Sequence, residues 1–244
     1  MNNVIILGAG RSGTSAIAGS FLGDFNRGGT LHLPNDANPR GFFESNNVNR
    51  INDDLLWMCK AVRTTRGLKQ GWLTALDKSH LLCETTKNIE DRIENTIENK
   101  PVLLKDPRFS YTLPVWLRYL SNLKIVCVFR NPQQFLSSLL YHCKTQQYLK
   151  EIVVDPEFFQ EVWISMYKYI LKYYIRLNIL FINYSEILYG DGLKKLSDFT
   201  GYKTNCNFPE KTLQRSNNNQ QVAYNLLEVY EELCNLANCP EVLR

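Results

Sequence analysis

The chain has 244 residues, 44% of them hydrophobic and 21% charged, which is enough apolar material for one large domain with a full core, expected to span 1–244. Its formal net charge of +4 is spread without blocks of like charge, which argues against a nucleic-acid surface and suits a cleft for a small polyanion. Seven cysteines, odd in number and without a C-x-x-C pair, exclude a disulfide framework and read as thiols of a reducing compartment. No stretch approaches the ~20 apolar residues of a membrane span, and the first apolar run is too short for a signal sequence, so a cytoplasmic protein is expected.

The first predicted element is the buried strand Val4-Ile5-Ile6-Leu7, followed by Gly8-Ala9-Gly10-Arg11-Ser12-Gly13-Thr14-Ser15 and a helix over roughly 14–22. Glycines that admit positive φ, followed by the first N–H groups of a helix, form a cradle for an anion. The spacing is that of a P-loop, G-x-x-x-x-G-K-[ST], with Thr14 in the lysine position and Arg11 supplying the charge. Without that lysine, ordinary nucleoside-triphosphate chemistry is disfavoured. A loop over 23–45 of a length usually reserved for function ends in Pro39-Arg40-Gly41-Phe42-Phe43-Glu44. A helix capped by Asn46 or Asn47 follows, with Val48, Ile51, Leu55 and Met58 on one face. Lys60, Arg63, Arg66 and Lys69 read as a solvated face, and Ile89, Ile93 and Ile97 mark a surface helix ended by Pro101.

The second strand, Val102-Leu103-Leu104, runs into Lys105-Asp106-Pro107-Arg108, and a short helix is expected near Pro114. The third, Ile125 to Phe129, ends at Arg130, and Asn131-Pro132 opens a helix carrying Ser138 about two turns on. An arginine folding back and that hydroxyl could together grip one phosphate. Asp155-Pro156 opens a helix whose aromatic stripe is core. The fourth strand is Ile179 to Asn183, a helix over 192–200 is closed by Gly201, the irregular polar segment 204–219 with Arg215 reads as a flap, and a last helix covers 220–237.

Four strand-then-helix units predict an α/β, P-loop-type three-layer fold, a central parallel sheet flanked by helices, with ligand at the strands' carboxyl edge. No strand ends in the aspartate that a Mg²⁺-dependent P-loop enzyme uses, so no metal is expected.

Three of these stretches together, Gly10 to Ser15, Lys105-Asp106-Pro107-Arg108, and Arg130 followed by Ser138, resemble the motif set of the sulfotransferases that use 3′-phosphoadenosine 5′-phosphosulfate (PAPS), especially bacterial members and the tyrosylprotein branch. The resemblance implies transfer of a sulfuryl group to a hydroxyl or amine of a small-molecule, glycan or lipid acceptor, releasing adenosine 3′,5′-bisphosphate (PAP). It also implies that Arg11, Ser12, Gly13, Thr14 and Ser15 hold the 5′-phosphosulfate, that Arg130 and Ser138 hold the 3′-phosphate, and that Arg215 adds a phosphate contact. Lys105 would neutralise the bridging oxygen. The expected base is Glu44, its pKa raised by Phe42 and Phe43, with Asp106 as second candidate; none of His32, His80 and His142 falls in a matching place. The alternatives are a divergent P-loop kinase or phosphotransferase and a non-catalytic nucleotide-binding module. The loop over 23–45 and the segment over 60–77 are expected to shape the acceptor pocket, and their mixed Trp, Arg and Gly content fits a glycan, a lipid-linked sugar or a phenolic equally well; oligomeric state is not encoded in any motif.

Overall fold

The computed structural model describes residues 1–36, 38–59, 70–76, 81–214 and 216–239 in full, and 62–64 by their backbone. Lys60, Arg66, Lys69, His80 and Arg215 lie outside the described residues.

The main sheet contains β1 (Asn3–Leu7), β4 (Leu103–Lys105), β5 (Leu123–Phe129) and β6 (Ile179–Asn183), in the order β4-β1-β5-β6 and parallel throughout. β2 (Val62–Thr64) and β3 (Thr74–Leu76) form a separate antiparallel pair that was not foreseen, because three-residue strands carry no periodicity. The continuous apolar runs of β1 and β5 follow from burial on both faces. Alternate residues divide between two cores. Ile5, Leu7, Ile125 and Cys127 face one, built with α2 (Asn46–Met58), α4 (Phe109–Trp116), α5 (Pro132–Thr145), α6 (Pro156–Tyr174) and α9 (Tyr224–Ala237). Val4, Ile6, Val126 and Val128 face the other, closed by α1 (Thr14–Ser20) and α8 (Gly192–Thr200). The result is the expected three-layer α/β arrangement.

The connection after β1 leads to β4 on one side, and that after β5 leads to β6 on the other. Between these neighbours the connections diverge, which opens a crevice above their carboxyl ends.

Several boundaries differ from the sequence reading for local reasons. α2 is capped by Ser45, whose Oγ accepts from the N–H groups of Asn47 (3.1 Å) and Val48 (3.4 Å), so neither asparagine is the cap. α4 begins at Phe109 and holds Pro114 in its interior, because Asp106 Oδ1 accepts from Arg108 N–H at 2.9 Å and starts the turn earlier. The chain after β6 turns straight into α7 (Tyr184–Tyr189) through a capping box between Asn183 and Glu186. The surface helix marked by Ile89 and Ile93 is α3 (Lys87–Thr96). The aromatic stripe of α6 is core: Phe159, Trp163, Tyr167 and Tyr174 are buried.

Candidate active site

The turn after β1 is held from below. Tyr167 of α6 donates its hydroxyl to Val128 O at 2.7 Å and accepts from Ala9 N–H at 3.1 Å, with Ser12 Oγ 3.1 Å away. Ser12 itself is fully buried and its N–H is spent on Ala9 O. Its side chain therefore braces the loop, and it is not among the residues lining either cavity described below. Gly13 caps α1 at φ 97°, and a Cβ there would lie 2.2 Å from the Tyr184 ring, so glycine is required on both counts. Arg11 also adopts a positive φ of 69°, unusual for a bulky residue, which turns its side chain towards α5, where Nε donates to Ser138 Oγ at 3.3 Å.

Arg130 emerges from β5 almost wholly buried. Nε donates to Gln134 Oε1 at 3.1 Å, one terminal nitrogen donates to Ser216 Oγ, and the guanidinium lies 4.8 Å from the centre of the Tyr184 ring. Burial, with a contribution from nearby Arg11, lowers its pKa to about 10, which leaves it charged at neutral pH. Ser138 is thus hydrogen-bonded by Arg11, while Arg130 is held by Gln134 and Ser216. Arg11, Arg130 and Ser138 line one cavity of about 130 Å³, with Gly13, Tyr184 and the segment around Phe208 and Glu210 on its walls. The polar segment predicted as a flap is held in this wall by the loop before α2: Arg40 pairs with Glu210 at 3.3 Å and donates to Phe208 O, and Phe43 packs edge-on against Phe208.

A larger cavity of about 500 Å³ lies against it and shares Arg11, Thr14, Ser15 and Asn38. Lys105 and Glu44 face this space as an ion pair, their side chains 3% and 14% exposed. Asn49 of α2 donates to the second Glu44 oxygen at 3.2 Å and lies 3.3 Å from His32 Nε2. Burial pushes the Glu44 carboxyl up, but Lys105, Arg108 and Asn49 together outweigh it and hold it below the ordinary carboxylate range. This reverses the expected upward shift. Phe43 is turned towards Phe208, and the expectation from neighbouring aromatics left out the cation that folding brings to the carboxylate.

Asp106 takes a different place from the one foreseen. It is fully buried, Oδ1 accepts from Arg108 at 3.0 Å, and Oδ2 accepts from Asn52 Nδ2 at 3.0 Å. Asn52 Oδ1 in turn accepts from Thr112 and Trp116, both at 2.8 Å. A carboxylate saturated in the core cannot reach a substrate proton, so Asp106 is corrected from base to brace. Arg108 completes the brace by donating to Asp53 Oδ1 at 2.6 Å. Burial works against its charge, but Asp106, Asp53 and Glu44 raise its pKa.

Further side chains line the larger cavity, Trp72 among them from the segment 60–77 that the sequence reading assigned to the acceptor pocket. Trp72 packs beside Gly10, where a Cβ would come within 2.6 Å of the ring, and its Nε1 donates to Gln70 Oε1 at 2.6 Å. His142, read as an ordinary packing histidine, lies in this wall with Nε2 2.7 Å from the Tyr148 hydroxyl, and burial lowers its pKa to about 3. Its position on α5 two turns beyond Phe135 gives no cue, whereas Asn46, Asn49, Arg50 and Asp53 of α2, which also line this cavity, could have been found from their polar spacing of i, i+3, i+4, i+7. Among the described residues no cluster of histidine, cysteine and carboxylate groups suits a metal ion, and no helix is long and apolar enough to cross a membrane.

The fold has solved counterparts. The sulfotransferase domain from the curacin biosynthetic pathway superposes with a TM-score of 0.50 at 12% identity, covering 95% of this chain and 97% of that one. A sulfotransferase from Alicyclobacillus acidocaldarius gives 0.49 at 13% identity, covering 99% and 97%. No curated protein sequence matches at a significant level. The family model described as "Sulfotransferase domain" matches residues 1–225, and with most of its length inside that match the chain belongs to the sulfotransferase family and is a transferase.

Proposed function

We propose that the protein moves a sulfuryl group from PAPS to an acceptor hydroxyl or amine, with Glu44 as general base. The observation that carries this reading is the junction of the two cavities. The smaller is lined by Arg11 and Arg130, by Arg40 paired with Glu210, and by the Ser138 hydroxyl, and the first two cations with that hydroxyl are the donor set that charge-assisted binding of a phosphate needs. The larger shares Arg11, Thr14, Ser15 and Asn38 with it and is lined by the Glu44 carboxylate paired with Lys105. On this reading Arg11, Thr14, Ser15 and the backbone at Gly13 bind the 5′-phosphosulfate, while Arg130 and Ser138 bind the 3′-phosphate.

The acceptor oxygen or nitrogen attacks sulfur and forms the new bond. The bond from sulfur to the bridging oxygen breaks, its electron pair leaves with PAP, and the acceptor proton passes to Glu44. Lys105 leaves Glu44 and donates to the bridging oxygen as charge builds there, the kind of oriented cation that contributes most when it meets developing charge. The depressed pKa keeps Glu44 ionised and ready to accept at neutral pH. Losing Lys105 to the bridging oxygen removes the main group that depresses it, so its basicity rises as the reaction proceeds.

Thermal unfolding with PAP, with ATP plus Mg²⁺, and with neither tests the reading. A ligand at about 100 times its Kd stabilises by ~2.7 kcal/mol, roughly a 5–10 °C shift for a chain of this length. We expect the shift with PAP, and its loss in Arg130→Ala. A shift confined to ATP plus Mg²⁺ would overturn the proposal in favour of a phosphotransferase, and none with either would favour a module without this nucleotide.

A further inference from the structure

We propose that the acceptor is a sugar hydroxyl, bound between α2 and Trp72; this rests on the sulfuryl-transfer reading above. Along α2, Asn46, Asn49, Arg50 and Asp53 all line the larger cavity, while Val48, Ile51, Leu55 and Leu56 on its other face are buried in the core. The spacing i, i+3, i+4, i+7 is one face of a helix, so the polar wall is continuous. Because the opposite face is packed, the helix cannot rotate its amides, guanidinium and carboxylate away from an occupant.

Facing the cavity from another element is Trp72, fixed against Gly10, tethered to Gln70, and in edge contact with His142 at 6.0 Å. An oriented indole beside a row of amides suits a pyranose, which presents a flat C–H face on one side and a ring of hydroxyls at its edge. Each hydroxyl both donates and accepts, so it can meet Asn46, Arg50 and Asp53 alike. A phenol or a long-chain alcohol offers one hydroxyl and a wide hydrocarbon face. Against this helix it would strip water from the polar row without replacing the hydrogen bonds. Hydrocarbon acceptors call for a predominantly apolar pocket. Here the apolar contributions to the wall come mainly from Leu33, Phe42, Trp72 and Pro107, and Leu33 is 82% exposed at the rim.

The test measures transfer from radiolabelled PAPS to maltose, diacetylchitobiose and an unsulfated chondroitin disaccharide, with naphthol, octanol and tyramine alongside. PAP affinity by calorimetry and saturation-transfer NMR of each probe in the presence of PAP are read on the same protein. Labelled product is expected with a sugar, together with NMR transfer to its ring protons. Arg50→Ala and Asn46→Ala should raise KM for that sugar about tenfold while leaving the Kd for PAP unchanged. The proposal is overturned if PAP binds but naphthol, octanol or tyramine gives the higher kcat/KM. It is equally overturned if no sugar shows NMR transfer in the PAP-bound protein. Failure to bind PAP would instead overturn the sulfuryl-transfer reading, and the sugar proposal with it.

Discussion

The ion pair between Lys105 and Glu44 offers the sharpest test of how the site is built. With side chains 3% and 14% exposed, the two charges have little water to fall back on. Removing one partner from such a pair costs about 3–5 kcal/mol, most of it the penalty of leaving the other charge buried and alone. Glu44→Gln and Lys105→Met should each lower the unfolding midpoint by roughly 6–20 °C, at about 2–4 °C per kcal/mol for this chain length. The double variant leaves neither charge stranded. Its cost should fall short of the sum of the singles by about 2 kcal/mol or more. Urea unfolding of the four proteins at neutral pH measures this coupling, and costs that add to within ~0.5 kcal/mol would refute the argument. Acid provides a second readout. Because folding depresses the Glu44 pKa, its contribution is fully present above the unfolded value and is lost as pH falls through the folded one. The stability gap between wild type and Glu44→Gln should stay constant from pH 6 to 8 and close in the acid range below pH ~4.3.

Other substitutions separate bracing from chemistry. Asp106→Asn places an amide nitrogen against either Arg108 or Asn52 Nδ2, both donors, and should cost about 2–4 kcal/mol by calorimetry; in the folded enzyme below its midpoint it should keep kcat/KM within about tenfold, whereas Glu44→Gln should lose about 10²–10⁴-fold. Gly13→Ala drives a Cβ into the Tyr184 ring that stacks on Arg130, so PAP affinity measured by calorimetry should fall more than the affinity for acceptor. His142 titrates near pH 3 when folded and near 6.5 when unfolded, so the unfolded chain takes up the proton first and stability falls as pH drops between those values. By pH 4 wild type should lose about 3 kcal/mol more than His142→Phe, and parallel denaturation curves would contradict the assignment.

Much of the frame was legible from the chain alone. Continuous apolar runs each followed by a cap or glycine turn identify buried parallel strands, because burial on both faces leaves no polar alternation. Glycine spacing after β1 locates the cradle, since positive φ beside a packed ring tolerates little else. Such signals are local: each lies within a few residues and is set by backbone geometry and periodicity. The pairing of Glu44 with Lys105, 61 residues apart, is not local, nor is that of Arg11 with Ser138 across 127. Sequence could nominate these side chains but not say which touch. It therefore erred on the sign of the Glu44 shift, sent Asp106 to the cavity when packing drives it into the core, and did not show that Tyr167 holds the Ser12 side chain. The polar spacing along α2 was legible, but that this face and the Trp72 indole line one cavity was not, because that depends on how the helix packs. The strands of the main sheet and the glycine turn after β1 were thus determined by the sequence itself, while charge pairing, the electrostatics of the cavities and the shape of the larger one were decided by the tertiary structure, in which electrostatics and burial depend on distance in space rather than along the chain.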